Sequence, residues 1–163
     1  ALEDRGQVRR GYFVAGLGAA QFALPGAVDR LRAVRERGDD AGQILVLAAT
    51  DPAQPYGAAV GWPATTAPTG RPARAAGAFV VMAGGEPAAY LERGGKSVLT
   101  FADHERVDWP SALAELVDRG RFRTLEIARV DGEPVANTDH AERLAAAGFV
   151  PGYRGMVRRH DRR

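Results

Sequence analysis

Three short apolar runs separated by paired glycines dominate the middle of the chain, in the sequence AFVVMAGGEPAAYLERGGKSVLTF of residues 78–101. Paired glycines supply the positive φ angles that tight hairpin turns require. The pattern therefore predicts a three-stranded meander that turns at Gly84-Gly85 and again at Gly94-Gly95. Because a meander buries one face only when something packs on it, the flanking segments are expected to supply further strands and helices.

The N-terminal segment has the pattern of a hairpin followed by a helix. RGYFVAG and QFAL are strand-like runs, and the glycine-rich stretch from Gly16 to Gly18 forms the tip between them. Pro25 suits the first turn of a helix because its missing N–H has no partner there. Apolar residues then recur at helical spacing, so we expect a helix from Pro25 to Arg37 that stops at Gly38.

A continuous apolar run and a proline-rich connection come next. Residues 43–50, QILVLAAT, have the length and continuity of a strand buried on both faces. Residues 51–77 contain five prolines and several glycines, which predicts a long irregular connection. Connections of this length carry function or are disordered.

The C-terminal third alternates helices with strands. WPSALAELVDRG predicts a helix that Gly120 ends, and FRTLEIARV alternates apolar and polar residues as a half-buried strand does. The pair Asp131-Gly132 is a hairpin signal. Asp139 and Glu142 have the spacing of a capping box and predict a helix that Gly148 ends, before a last short strand within residues 149–159.

Composition bounds the class of protein. The chain has 163 residues, 45% of them apolar and 26% charged, as expected for one globular domain with at most a fragment of a second. It has no cysteine, which excludes disulfides and cysteine zinc sites and fits a reducing compartment. No apolar run approaches a membrane span and no signal peptide is evident, so a cytoplasmic protein without a membrane partner is expected.

The basic residues are almost all arginine. Lys96 is the one lysine among 22 basic residues, and the sequence pI is about 9.4. A GC-rich genome alone would produce this bias. Arginine is nevertheless the better fork for phosphate, and the pI is compatible with a nucleic-acid partner, although the net charge of +2 gives a weak footprint.

Two local motifs resemble ligand-binding sites, but a hairpin turn and a solvated loop explain them better. GGKS at residues 94–97 resembles a phosphate-binding loop, but Tyr90 stands where that motif needs glycine, and a strand pattern follows instead of a helix. A cluster of acidic residues around His104 could bind a metal ion, although a solvated loop is the simpler interpretation. His140 and His160 are expected to be exposed. The sequence has no cysteine, and none of its serines lies in a nucleophile elbow, so it offers no nucleophile for acyl transfer.

The proline-rich connection holds the remaining candidates. Asp51 follows a buried strand, where its carboxylate could act on a ligand or could instead form an Asx-turn before Pro52. Tyr56 and Trp62 could stack on nucleic-acid bases or form a lid over an apolar core. The sequence leaves both pairs of alternatives open.

Three quoted stretches give the chain a family resemblance: RRGYFVAGLGAAQFALPGAVDRLR, LAATDPAQPYGAAVGWP and GRPARAAGAFVVMAGGEPAAYLERGGKSVLTF. They resemble, in the same order, the C-terminal end of the large helicase-related (Lhr-type) superfamily 2 DNA helicases of bacteria. The resemblance implies an α+β fold: a mainly antiparallel β-barrel-like module with about three helices, preceded by the wing hairpin of a winged-helix domain. It assigns residues 1–38 to the end of the winged helix, with its hairpin and exit helix, and residues 39–163 to the barrel module.

The resemblance also implies a function. This segment would be an accessory module of an ATP-dependent helicase in DNA repair. Because it lacks a Walker motif, ATP and Mg²⁺ would belong to the helicase core elsewhere in the chain, and no cofactor is expected here. Its partners would be single-stranded or unwound DNA, the rest of the helicase chain and, as an open alternative, further copies of itself. The implied nucleic-acid contacts are Arg9, Arg10, Tyr12, Arg71, Arg74, Arg93 and Lys96.

A second function follows from the same resemblance. The C-terminal architecture is similar to that of winged-helix DNA glycosylases, so part of a base-excision site could lie in this segment. Removal of a base needs a pocket for the flipped nucleotide and a carboxylate or polarised water near its sugar. By residue type alone, the candidates are Asp51, Asp103 and Asp161.

Overall fold

A computed structural model describes residues 2–36, 43–102 and 104–160. The chain divides into two compact units, Ala1–Asp40 and Ala41–Arg163, which we call unit 1 and unit 2. The predicted boundary between residues 38 and 39 lies outside the described residues, as does the predicted helix stop at Gly38.

Unit 1 contains the predicted hairpin and helix. Strands β1 (Arg9–Gly11) and β2 (Gln21–Ala23) pair antiparallel, and helix α1 spans Ala27–Glu36. The first strand ends earlier than predicted because the side-chain amide of Gln21 takes the place of a partner strand: it accepts from the N–H groups of Phe13 and Val14 and donates to the Val14 carbonyl. The helix begins after Pro25 because Gly26 has a φ of 82°, which is incompatible with a right-handed helix.

Unit 2 is built on two sheets. The six-stranded sheet has the order β3-β4-β5-β6-β8-β9, antiparallel except for the parallel pair β6–β8, and the three-stranded sheet has the order β10-β11-β7. The strands are β3 (Ile44–Ala48), β4 (Phe79–Ala83), β5 (Glu86–Leu91), β6 (Ser97–Thr100), β7 (Thr124–Ile127), β8 (Arg129–Val130), β9 (Glu133–Pro134), β10 (Val150–Pro151) and β11 (Met156–Arg159). The helices are α2 (Trp109–Asp118) and α3 (His140–Ala146), with 3₁₀ turns at His104–Arg106 and Val135–Asn137.

The predicted meander is confirmed as β4, β5 and β6, and its alternation creates two apolar cores. Val81, Leu91 and Val98 join the buried residues of α2, whereas their neighbours Val80, Tyr90 and Leu99 face the opposite side. Side chains of a strand alternate between faces, so each face needs its own cover. The proline-rich connection supplies the second cover.

The β-barrel prediction is wrong for the described residues, where no sheet closes. Strands β3 and β9 remain the two ends of the six-stranded sheet, and β7 pairs with the second sheet instead. Closure is one way to cover a sheet face, but here α2 does so, with Leu113 and Val117 fully buried against the sheet. The coarser prediction of an α+β fold with three helices and mainly antiparallel strands is confirmed.

Two local predictions also need correction. Strand β3 was expected to be buried on both faces, but it lies at the edge of its sheet, and Leu45 is 46% exposed. Asp139 makes no side-chain capping bond because its own backbone is already helical, with φ −62° and ψ −15°. The predicted stop at Gly148 is confirmed, since this glycine has a φ of 81° and the N–H of Phe149 closes the helix on the Leu144 carbonyl.

The Asp131-Gly132 turn is confirmed as the connection between β8 and β9. Both residues have positive φ, 52° and 87° respectively, as the predicted tight turn requires. Among the described residues, no helix has the length and apolar character needed to cross a membrane.

Candidate nucleic-acid interface

The hairpin of unit 1 carries three of the predicted contacts in succession. Arg9 and Arg10 lie on β1 and are exposed, and Tyr12 follows with 82% of its surface exposed. Arg10 stands opposite Phe22 of β2, another exposed ring. Arg10 therefore stands beside an aromatic ring, the combination that binds phosphates and bases, whereas Arg9 lies opposite Ala23 on the other face of the hairpin.

In unit 2, the turn between β5 and β6 brings two more predicted contacts together. Arg93 and Lys96 flank Gly94-Gly95, and both are exposed. The turn is fixed in place: the N–H of Gly95 donates to the Glu92 carbonyl, and a Cβ on Gly95 would lie 2.8 Å from Leu125 Cδ1 of β7. Glu92 is the acidic neighbour, and it is half-buried.

A third cation at this turn was missed by the sequence analysis. The Lys96 carbonyl accepts from the N–H groups of Ala128 and Arg129, at 2.8 and 3.1 Å, which brings β8 beside the turn. Arg129 is exposed, and its Nη1 donates to the Gly132 carbonyl at 2.7 Å. We call Arg93, Lys96 and Arg129 the basic edge. No sequence pattern near Arg129 predicts this position, because the residue reaches the Lys96 turn only through the break between β7 and β8.

Arg71 lies apart from these residues, in the proline-rich connection. It lines a recess of about 390 Å³ together with Trp62 and two prolines, Pro63 and Pro72. The Trp62 ring is partly committed to the core, since its centroid lies 5.8 Å from that of Tyr56 and 5.7 Å from that of Tyr90. Trp62 thus closes the apolar layer and leaves part of its ring in the recess.

Tyr56 belongs to the same layer and is buried. The single proton of its hydroxyl is shared between two acceptors, Glu86 Oε2 at 3.0 Å and the Gly85 carbonyl at 3.1 Å. Burial, followed by the hydrogen bond and charge of Glu86, raises the pKa of Tyr56 to about 12. Of the two roles that the sequence left open for Tyr56, these contacts fit a lid over the core.

Arg74 has a structural role in the proline-rich layer. Its Nη1 donates to the Gln54 carbonyl at 2.7 Å, and its Nη2 donates to the carbonyls of Thr50 and Asp51. These bonds clamp the start of the connection to its later part. Asp51 accepts the N–H of Ala53 at 2.8 Å, which is the Asx-turn alternative.

A recess that the sequence analysis did not predict lies around two histidines. It measures about 490 Å³, and the ring centroids of His104 and His140 are 5.4 Å apart. His140 also packs against Trp109 at 5.6 Å, so the prediction that it is exposed is wrong: it is half-buried. Helix α3 turns its first residue toward α2, which places the imidazole against the core.

The electrostatics of this recess are mixed. Burial lowers the pKa of His140, as do the charges of His104 and Arg143, while Asp131 and Asp139 act in the opposite direction. Four carboxylates line the recess, those of Glu105, Asp131, Glu133 and Asp139. The candidate carboxylates Asp103 and Asp161 lie outside the described residues. Within the described ranges, no group of three or more metal-ligating side chains converges.

Comparison with known proteins gives consistent matches. Residues 1–43 match the sequence profile described as large helicase-related protein, winged-helix domain. The chain is 47% identical to the "Lhr helicase/ probable uracil glycosylase" of Mycolicibacterium smegmatis, over 95% of this chain and 11% of that protein. It is 36% identical to the "Lhr helicase/uracil glycosylase" of Escherichia coli, over 96% of this chain and 10% of that protein. The chain thus spans about a tenth of these relatives' length.

Proposed function

This chain belongs to the C-terminal region of the Lhr-type helicases, and we propose that it is an accessory module that binds DNA for a helicase motor elsewhere in the same polypeptide. The strand it holds is single-stranded or unwound DNA, the product of such a motor. ATP and Mg²⁺ act at the motor, and the partners of this module are DNA and the rest of the helicase chain.

The basic edge is the observation that carries the proposal. Lys96 and Arg129 meet at one backbone junction, and Arg93 lies on the same turn as Lys96. All three are exposed and form no ion pair with the described residues. Unpaired cations clustered on fixed backbone suit a phosphate backbone, because each neutralised phosphate releases condensed counterions. The hairpin of unit 1, with Arg9 and Arg10, offers a second basic surface in the segment that matches the winged-helix profile.

Salt dependence tests the basic edge. We expect the triple variant Arg93→Gln, Lys96→Gln and Arg129→Gln of the full-length protein to lower the slope of log K against log salt for single-stranded DNA by about 2, since each phosphate contact contributes roughly 0.7. Arg119→Gln is the matched control, because Arg119 is exposed but already paired with Glu115 at 2.6 Å. A slope in the triple variant equal to that of the control would remove the basic edge from the DNA site.

A base-excision site is the second candidate function, and the histidine recess is the observation that favours it. The recess combines carboxylates with imidazoles beside Trp109 and is of a size suited to a small ligand. The names of both relatives include uracil glycosylase. Glu105, Glu133 and Asp139 are the exposed carboxylates on its rim, and Glu133 and Asp139 are the two tested by substitution.

Uracil excision tests this second function. The full-length protein is incubated with uracil-containing DNA, and alkali reveals abasic sites. Loss of product in Glu133→Gln or Asp139→Asn, with Glu115→Gln of α2 as the control, would place the chemistry in the recess. Full activity in both variants would exclude these two carboxylates from the reaction.

A further inference from the structure

The tip of the β10–β11 hairpin carries the most exposed aromatic side chain of unit 2. Tyr153 is 97% exposed, and it stands with Arg154 between Gly152 and Gly155. The N–H of Gly152 donates to the Gly155 carbonyl at 2.7 Å, so the chain reverses within this four-residue turn. An aromatic ring held entirely in water contributes nothing to the apolar core of its own unit.

The hairpin holds this ring on a fixed support. A Cβ on Gly155 would lie 2.1 Å from the Ile127 carbonyl oxygen and 2.7 Å from Ala128 Cα, so the turn lies directly on the backbone that follows β7. Below the turn, β10 pairs with β11, and all four residues of β11 pair with β7. The tip therefore has the backbone support of the three-stranded sheet.

The same contact places the tip beside the basic edge. Gly155 packs on Ala128, and the N–H of Ala128 donates to the Lys96 carbonyl at 2.8 Å. One residue therefore separates the hairpin turn from the turn that carries Arg93 and Lys96. Arg154 is also exposed and adds a cation next to the ring.

We propose that Tyr153 stacks on an unpaired base of the DNA strand whose phosphates the basic edge holds. This inference rests on the proposed DNA-binding function and names the residue that contacts the bases of the strand. Aromatic side chains beside a cationic groove bind single strands in this way, because every base has a π-face. A protein partner would favour an anchor ring surrounded by apolar surface, whereas the residues that share the turn with Tyr153 are two glycines and an arginine, and the exposed apolar residues of the hairpin lie on β10.

Affinity measured across a salt series tests the inference in the full-length protein. For Tyr153→Leu we expect single-strand affinity to fall at least about fivefold, the lower end of one base stack. The salt slope should be unchanged, because no phosphate contact is lost. Tyr153→Phe should keep the affinity, since it keeps the ring. Val150→Thr is the control, because it removes an exposed apolar group from the same hairpin away from its tip.

The outcomes separate the inference from the function on which it rests. If the basic-edge triple variant lowers the salt slope and Tyr153→Leu binds like the wild type, the stacking role is wrong and the DNA-binding function stands. If the slope stays unchanged in the triple variant, the proposed DNA path fails and the stacking role fails with it. A loss of affinity equal in Tyr153→Leu and Tyr153→Phe would also overturn stacking, since the phenyl ring stacks as well.

Discussion

Asp131 joins the β8–β9 turn to the central sheet, and its removal should destabilise unit 2 strongly. One carboxylate oxygen accepts the N–H of Thr100 at 2.7 Å, and the other accepts the Thr100 hydroxyl at 2.6 Å. Thr100 is fully buried on β6. Asp131 also has a φ of 52°, in the left-handed region that aspartate, asparagine and glycine tolerate better than other residues.

The structure gives a magnitude for Asp131→Ala. Two buried Thr100 donors would be left without acceptors, at about 1–3 kcal/mol each, and alanine would add about 1 kcal/mol of backbone strain at positive φ. Allowing for relaxation around the site, we expect a loss of about 3–5 kcal/mol. Asp131→Gly relieves the strain and should cost about 1 kcal/mol less. Asp131→Asn keeps both the backbone preference and one acceptor, so it should be the mildest of the three.

Chemical unfolding followed by tryptophan fluorescence measures these losses. Both tryptophans, Trp62 and Trp109, lie in unit 2, so the signal reports that unit alone. The expected order of free-energy loss is alanine, then glycine, then asparagine. If Asp131→Ala unfolded within about 0.5 kcal/mol of the wild type, the buried hydrogen bonds to Thr100 would not stabilise the sheet as argued.

Three further changes should have separable effects. The pKa of His140 is lowered in the folded protein, so the unfolded state binds the proton first as the pH falls. The free energy of unfolding should therefore decrease as the pH drops below about 6.5. His140→Gln should flatten this decrease in unfolding titrations, and an unchanged profile would contradict the role of the buried imidazole. Gly155→Ala should lower the free energy of unfolding by about 1–3 kcal/mol, because its new Cβ would clash with the backbone at Ile127 and Ala128. Gly61→Ala, which has open space around it, should be nearly neutral. Equal unfolding midpoints for the two variants would contradict the close approach of Gly155 to that backbone. Arg74→Lys should lower the thermal midpoint of unfolding nearly as far as Arg74→Ala, because an ammonium group cannot reproduce the guanidinium fork that reaches three carbonyl groups. A lysine variant as stable as the wild type would show that charge alone suffices.

Local signals in the sequence predicted the local structure well. Paired glycines marked both turns of the meander, and Asp131-Gly132 marked the β8–β9 turn, because positive φ is a property of those residues themselves. The role of β3 could not be read in this way, since an apolar run has the same pattern whether the strand is central or at an edge. Sheet closure also depends on what covers each face, and no local pattern revealed that α2 and the proline-rich connection share this task.

The candidate site was predictable only where its residues are neighbours in sequence. Arg93 and Lys96 flank one turn, so recognising that turn in the sequence is enough to place them together. Arg129 reaches the same edge through backbone bonds to Lys96, and Tyr153 through the packing of Gly155 on Ala128. These contacts join residues 27 to 33 positions apart, which sequence patterns do not specify.

The path of DNA over unit 2 can be located by photocrosslinking. A single strand carrying 5-iodouracil is bound to the full-length protein and irradiated, and the crosslinked peptides are identified by mass spectrometry. Crosslinks at Tyr153 and in the peptides that carry Lys96 and Arg129 are the predicted result, because these residues surround one backbone junction. Crosslinks confined to other parts of the polypeptide, with DNA still bound, would contradict the assignment of the basic edge as a DNA-binding surface.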